Sequence, residues 1–123
     1  MSSPPLNILY LHCHDAGRYV QPYGHAIETP NIQRLAEEGV TFRQAFCANP
    51  TCSPSRASLV TGHWPHQAGM FGLAGKRGWA LSQPEHHIAN VLRDRAGYRS
   101  TLAGLQHVAR NADDELPYDE EVA

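Results

Sequence analysis

The chain has 123 residues, 41% hydrophobic and 18% charged, with ten glycines, nine prolines and a formal net charge of −2, which suits one small globular unit. No apolar run approaches the roughly 18 residues of a membrane span, and Met1-Ser2-Ser3-Pro4-Pro5 lacks the basic and apolar regions of a secretory leader; neither a membrane protein nor a standard secretory precursor is expected, and a cytoplasmic location is. Ten basic against six acidic side chains give residues 1–112 a net +4, the other six acidic residues lying between Asp113 and Glu121, a bias that favours an anionic substrate but falls short of a nucleic-acid footprint.

Leu6-Asn7-Ile8-Leu9-Tyr10-Leu11 is a short apolar run without helical period that ends in the polar cluster His12-Cys13-His14-Asp15. It predicts a buried strand of a parallel sheet, with polar groups at the carboxyl end where open α/β sheets bind ligands. Thr29-Pro30 offers a cap with proline at the first helical position, and Ile32, Leu35 and Ala36 keep helical spacing until Gly39. Val40 to Phe46 is β-branched and aromatic, a short strand or extended segment leading into Asn49-Pro50-Thr51-Cys52.

Ser53-Pro54 repeats the cap-plus-proline device and predicts a second helix through Ala57 and Val60 to Gly62, with Cys52 just before its N-terminus. Residues 62–82, rich in Gly, His and Trp without periodicity, read as an ordered loop. Ser82-Gln83-Pro84-Glu85 has capping-box spacing, and Ile88, Val91, Leu92 and Ala96 give a third helix an apolar face before Gly97. Tyr98 to Gly104 reads as a second strand, ending near His107, and from Arg110 the chain is acidic, poor in apolar residues and expected to be loose. The order of elements predicts an α/β sheet.

Three cysteines, Cys13, Cys47 and Cys52, are an odd number without C-x-x-C spacing, which argues against a disulfide scaffold or a zinc knuckle. Cys52 lies where unpaired N–H groups and the positive end of a helix dipole lower a thiol pKa and attract oxyanions, with Arg56 about one turn on. A thiolate-phosphatase loop needs five residues between Cys and Arg, and here there are three. On spacing alone, a small structural residue before a helix and a functional one weigh equally.

The order of motifs adds a resemblance. Cys52-Ser53-Pro54-Ser55-Arg56, a short apolar helix and Thr61-Gly62 resemble the signature of type I sulfatases, of the alkaline-phosphatase-like superfamily. Asn7 to Leu11 with Asp15 resembles that family's first strand and metal-binding turn, and Thr29 to Phe42 its T-P-N-x-x-x-L-A-x-x-G-x-x-F block. Ala45-Phe46, Pro65-His66, Gly69-Met70 and Leu92 to Arg99 keep family order, so the likeness covers residues 6–108. Within the family, Cys52 to Leu59 and Gln67 to Leu73 are most similar to N-sulfoglucosamine sulfohydrolases.

The resemblance implies a mostly parallel sheet flanked by helices, and hydrolysis of sulfuric esters or sulfamates on a sulfated small molecule or sugar. It implies that Cys52 is oxidised to formylglycine (3-oxoalanine) by a formylglycine-generating enzyme. Its hydrate would carry one hydroxyl to attack sulfur and a second to release sulfate by collapse to the aldehyde, with Arg56 offsetting negative charge. By the same resemblance Cys52, Arg56 and His107 are the catalytic residues, and Asp15, His14 and Cys52 hold a divalent cation, calcium above others. Two departures stand out. His14 replaces the first of two usual aspartates, which leaves manganese or zinc open or puts His14 behind Asp15; Leu105 replaces the sulfate-contacting lysine of the G-K-x-H motif, whose histidine His107 matches.

Other histidines have ordinary readings: His12 at a strand end, His63 and His66 bonding within a loop or acting in catalysis, His86 and His87 solvated on the first turn of the third helix. Family members being several times longer, residues 1–112 are expected to be the amino-terminal part of a sulfatase catalytic domain, 113–123 an acidic tail, and the isolated chain inactive. The alternatives are a phosphonate or phosphate-ester hydrolase of the same superfamily, or a non-catalytic remnant binding a metal or partner through His12, His14 and Asp15.

Overall fold

The computed structural model describes residues 6–75, 78–109 and 116–122. It is α/β, with helices α1 (Pro30–Glu38), α2 (Cys52–Thr61) and α3 (Ile88–Ala96) and strands β1 (Thr101–Ala103) and β2 (Glu120–Val122), and it divides into two compact units, Met1–Ala45 and Phe46–Ala123.

In the first unit, α1 begins at the proline that the sequence marks, because Pro30 has no N–H to leave unpaired and its φ already suits a helix. Thr29, however, does not cap it through its side chain. Its hydroxyl accepts from the Gln21 N–H at 3.1 Å, and its own N–H donates to Gln21 Oε1 at 3.2 Å, so the threonine ties the helix entry to the 3-10 turn Gln21–Tyr23. Gly39 ends α1 in extended conformation; a Cβ there would sit 2.9 Å from the Leu35 carbonyl oxygen.

The strand expected over Leu6–Leu11 is not among the described elements, and Leu6, Ile8, Leu9, Tyr10 and Leu11 are exposed. A strand exists only by its ladder to a neighbour, and the one sheet described consists of β1 and β2. Val40–Phe46 likewise forms no strand; the Phe42 carbonyl accepts instead from the Tyr23 hydroxyl at 2.9 Å.

The second unit holds the core: Ala57, Ala68, Met70, Ala74 and Val108, with Leu81 packed against them. The described residues of the 62–82 stretch form the expected ordered loop. It folds back on itself through the Met70 N–H to the Pro65 carbonyl at 2.8 Å and the Ser82 N–H to the Ala68 carbonyl at 2.9 Å. Gly69 is required at that return: its φ is +75°, and a Cβ would meet Ser82 Cβ at 2.8 Å.

The sequence places the start of α3 one turn too early. Pro84–His86 is a 3-10 turn, the Ser82–Glu85 capping box does not form, and His87 caps α3, its Nδ1 accepting from the Ala89 N–H at 3.1 Å. His87 is therefore not solvated but fully buried. With Nδ1 accepting, Nε2 carries the proton and donates to the Tyr118 hydroxyl at 3.3 Å, the two rings meeting edge to face.

Tyr118 lies in the acidic segment expected to be loose. Of that segment, residues 116–122 are described, and they carry β2, paired in parallel with β1 in the register Thr101↔Glu120, Leu102↔Glu121 and Ala103↔Val122. Residues 110–115 and 123 lie outside the described residues. Just before β2, Asp119 Oδ2 accepts from the Ser100 N–H at 2.6 Å and its hydroxyl at 3.0 Å, and these bonds hold the carboxyl below its usual pKa.

Desolvation depresses the His87 pKa from 6.5 to about 4. The neutral ring is the form that both caps α3 and reaches Tyr118, so its contribution to stability is complete above pH 6.5 and is lost as pH falls through about 4. His87→Asn keeps a capping acceptor and removes the titration. In urea unfolding measured from pH 7 to pH 4, this variant is expected to take up one proton fewer on unfolding than the parent; an unchanged pH slope would refute the assignment.

Candidate functional site

The α2 N-terminus is built by residues on both sides of it. Asn49 Oδ1 accepts from the Thr51 N–H at 2.8 Å, and Thr51 is the N-cap residue, in extended conformation. The helix thus starts two residues earlier than Ser53-Pro54 suggests, and Cys52 is its first residue rather than the one before it. Ser53 does not cap; it is fully buried, and its Oγ accepts from the Ala74 N–H at 3.0 Å. Ser53, Pro54 and Ala57 face the core, which leaves Cys52 and Arg56, four residues apart and so on one side of the helix, half-buried at the surface.

The third residue of the site comes from the turn after β1. His107 Nδ1 lies 3.4 Å from Cys52 Sγ, across 55 residues of chain. Arg56 joins the same turn through its guanidinium: Nη1 donates to the Leu105 backbone carbonyl at 3.0 Å. Cys52, Arg56 and His107 therefore converge within the second unit. The Leu105 side chain, 64% exposed, contributes an apolar surface there and no cation.

Tyr118 adds a link to the same region. Burial and the Glu121 carboxylate raise its pKa, and the Arg56 guanidinium opposes them.

Asp15 and His14 belong to the first unit. His14 Nδ1 is 3.0 Å from Asp15 Oδ2, and Asp15 adopts a left-handed φ of 54°. Among the described residues no group of three or more His, Cys, Asp or Glu could hold a metal ion, and one carboxylate paired with one imidazole falls short of the six to eight oxygens calcium takes. The described residues thus do not fit a cation site by themselves.

His66 lines an open cleft of about 300 Å³ together with Asn49, Trp64 and Phe71, while His63 packs edge to face on His86 at 4.9 Å. Sequence reasoning missed Asn49, His87 and Tyr118. Asn49-Pro50 carries a turn signature that points to the cap; for His87 and Tyr118 no local pattern announces a contact 31 residues apart.

Comparison with known proteins defines the class. A profile of the family described as Sulfatase matches residues 7–120. N-acetylgalactosamine-6-sulfatase of Sus scrofa is 38% identical over 76% of this chain and 19% of its own length. N-sulphoglucosamine sulphohydrolase of Homo sapiens is 38% identical over 85% and 21%, and steryl-sulfatase of Homo sapiens is 39% identical over 70% and 16%. The chain belongs to the sulfatase family, of the alkaline-phosphatase-like superfamily. It spans about a fifth of the length of the curated relatives it matches.

The seating of α2 yields a direct test. Ser53→Ala leaves the buried Ala74 N–H without its acceptor, and is expected to lower the unfolding free energy by about 1–3 kcal/mol in chemical denaturation. A change within error would show that the Ser53–Ala74 bond does not hold the helix in place.

Proposed function

We propose that this chain supplies part of the active site of a sulfuric ester or sulfamate hydrolase, with Cys52 as the formylglycine precursor and Arg56 and His107 beside it. The observation that carries the reading is the convergence of these three residues, from α2 and the turn after β1, in a chain of the sulfatase family.

The chemistry follows from the side chains. A formylglycine-generating enzyme, drawing on molecular oxygen as the oxidant, would convert the Cys52 CH2–SH group to an aldehyde with its sulfur leaving at the sulfide level, and hydration would give a carbon bearing two hydroxyls. The hydrate would supply one hydroxyl to displace the alcohol or amine from the substrate sulfur and a second whose deprotonation would let sulfate leave without water attacking sulfur. His107 stands at hydrogen-bond distance from the Cys52 side chain, placed to hold or take a proton there. Arg56 brings a permanent positive charge that its bond to the Leu105 carbonyl directs. Asp15 is the hard oxygen donor available to a divalent cation, calcium by the resemblance; His14 beside it suits manganese or zinc.

Three relatives whose names refer to different sulfated groups match at nearly equal identity. The reading accordingly stays at the level of a sulfate ester or sulfamate carried by a small molecule or sugar.

Co-expression with a formylglycine-generating enzyme tests it. Trypsin releases Gln44 to Arg56 as one peptide, which contains both Cys47 and Cys52. Tandem mass spectrometry is expected to locate an aldehyde at Cys52 and an intact thiol at Cys47. An unmodified Cys52, when a control substrate of the same enzyme is converted, would overturn the proposal.

A further inference from the structure

His107 reaches Cys52 from an unusual backbone conformation. Its φ is +56°, in the left-handed region that non-glycine residues rarely occupy, and such a residue persists only where its surroundings over-determine it. The restraints on either side of it are visible. Upstream, the Gly104 N–H donates to the Val122 carbonyl at 3.3 Å and Arg56 holds the Leu105 carbonyl at 3.0 Å. Downstream, Val108 is buried in the core.

Between them sits Gln106, whose side chain closes the turn. Its Oε1 accepts from the Val108 N–H and, at 3.1 Å, from the Ala109 N–H. These are the two N–H groups that follow His107, and in a sharp turn they would otherwise lack a backbone acceptor. The clasp uses the carbonyl oxygen of the Gln106 side chain, and it spans the very residue whose backbone is strained. The imidazole itself makes no part of this clasp, so it stays available to Cys52.

We propose that Gln106 is a positioning residue: by clasping the Val108 and Ala109 N–H groups it holds His107 in the left-handed conformation that brings Nδ1 to the Cys52 side chain. This inference rests on the reading of Cys52 and His107 as one site. Its consequence is that the contribution of Gln106 passes through the His107 ring, and vanishes when that ring is absent.

The unconverted thiol offers a readout that needs no sulfate hydrolysis. Iodoacetamide alkylation of the full 123-residue chain, expressed without a formylglycine-generating enzyme, is followed cysteine by cysteine with tandem mass spectrometry, which resolves Cys52 from Cys47 within their shared tryptic peptide, with exposed Cys13 and Cys47 as internal references. His107→Ala removes the imidazole that meets the Cys52 side chain at 3.4 Å and is expected to slow Cys52 relative to Cys13 and Cys47 by about tenfold. Gln106→Leu should slow it by a similar factor in the parent and leave it unchanged in the His107→Ala background, the non-additivity expected of residues acting as a unit.

Gln106→Glu retains an acceptor oxygen at the same reach and is expected to restore most of the rate. Gln106→Asn, which withdraws the oxygen by one methylene, serves if the leucine variant does not fold, with the same predicted dependence on His107. Equal effects of the Gln106 substitution with and without His107, equal slowing of all three cysteines, or no effect would each overturn the proposal. Failure of aldehyde formation at Cys52 would instead count against the proposed function and leave this result standing.

Discussion

The site depends on how α2 is seated. Its first turn turns Ser53 and Pro54 inward, and Ala57 one turn on is fully buried, so three buried side chains on one face fix both the position of the helix and its rotation. The Ser53 hydroxyl is the directional part of that seating, because a hydrogen bond to the Ala74 N–H sets an angle that apolar contact alone does not. Once the rotation is set, Cys52 and Arg56 must emerge together on the side facing the turn after β1. The thiol and the guanidinium are thus placed by residues that have no chemistry of their own.

Small side chains make this core thin: three of its five buried apolar members are alanines. Alanine brings backbones close but buries little area, so specificity of arrangement falls to polar side chains that bond to backbone. Asn49 holds the cap of α2, His87 caps α3 and reaches Tyr118, Asp119 grips Ser100, and Gln106 clasps the turn at His107. Asn49, His87 and Asp119 satisfy a backbone N–H at an element end, which is where helices and strands leave donors unpaired, and Gln106 does so within a turn. The unit reads as short elements joined by side-chain clasps, and the site sits where two of them, those at Asn49 and Gln106, lie next to Cys52 and His107 in sequence.

The helices were legible in the sequence because their signals are local. Pro30, Gly62 and Gly97 mark ends that depend only on proline's missing N–H and glycine's access to positive φ. Cys52 and Arg56 were legible for the same reason, being one turn apart, and His107 through its motif. The strands were less so. Leu6–Leu11 has the composition of a strand, but composition does not supply a ladder, and an acidic segment without strand composition, Glu120–Val122, pairs because Asp119 and Ser100 bring it alongside β1. His87 misled for a related reason: next to His86 and within reach of a good capping box it looks solvated, and only the contact with Tyr118 shows why it is buried. Non-local contacts decide all three cases, and no window of sequence contains them.

Leu105 shows how a departure from the family pattern can be silent in the fold. Arg56 holds this residue by its backbone carbonyl, and its side chain points no charge or hydrogen bond into the turn. Any residue at this position offers the same carbonyl, so exchanging a lysine for a leucine leaves the path of the turn, the clasp of Gln106 and the approach of His107 to Cys52 intact. What changes is the electrostatics of the space in front of Cys52, where, under the proposed function, Arg56 would be the cation that both braces the turn and meets an incoming anion. One of its five donors serves the first task, and its fixed planar fork, unlike a flexible ammonium, allows the others to be aimed at the second. The tolerance of the fold and the demand on the chemistry therefore meet in the same guanidinium.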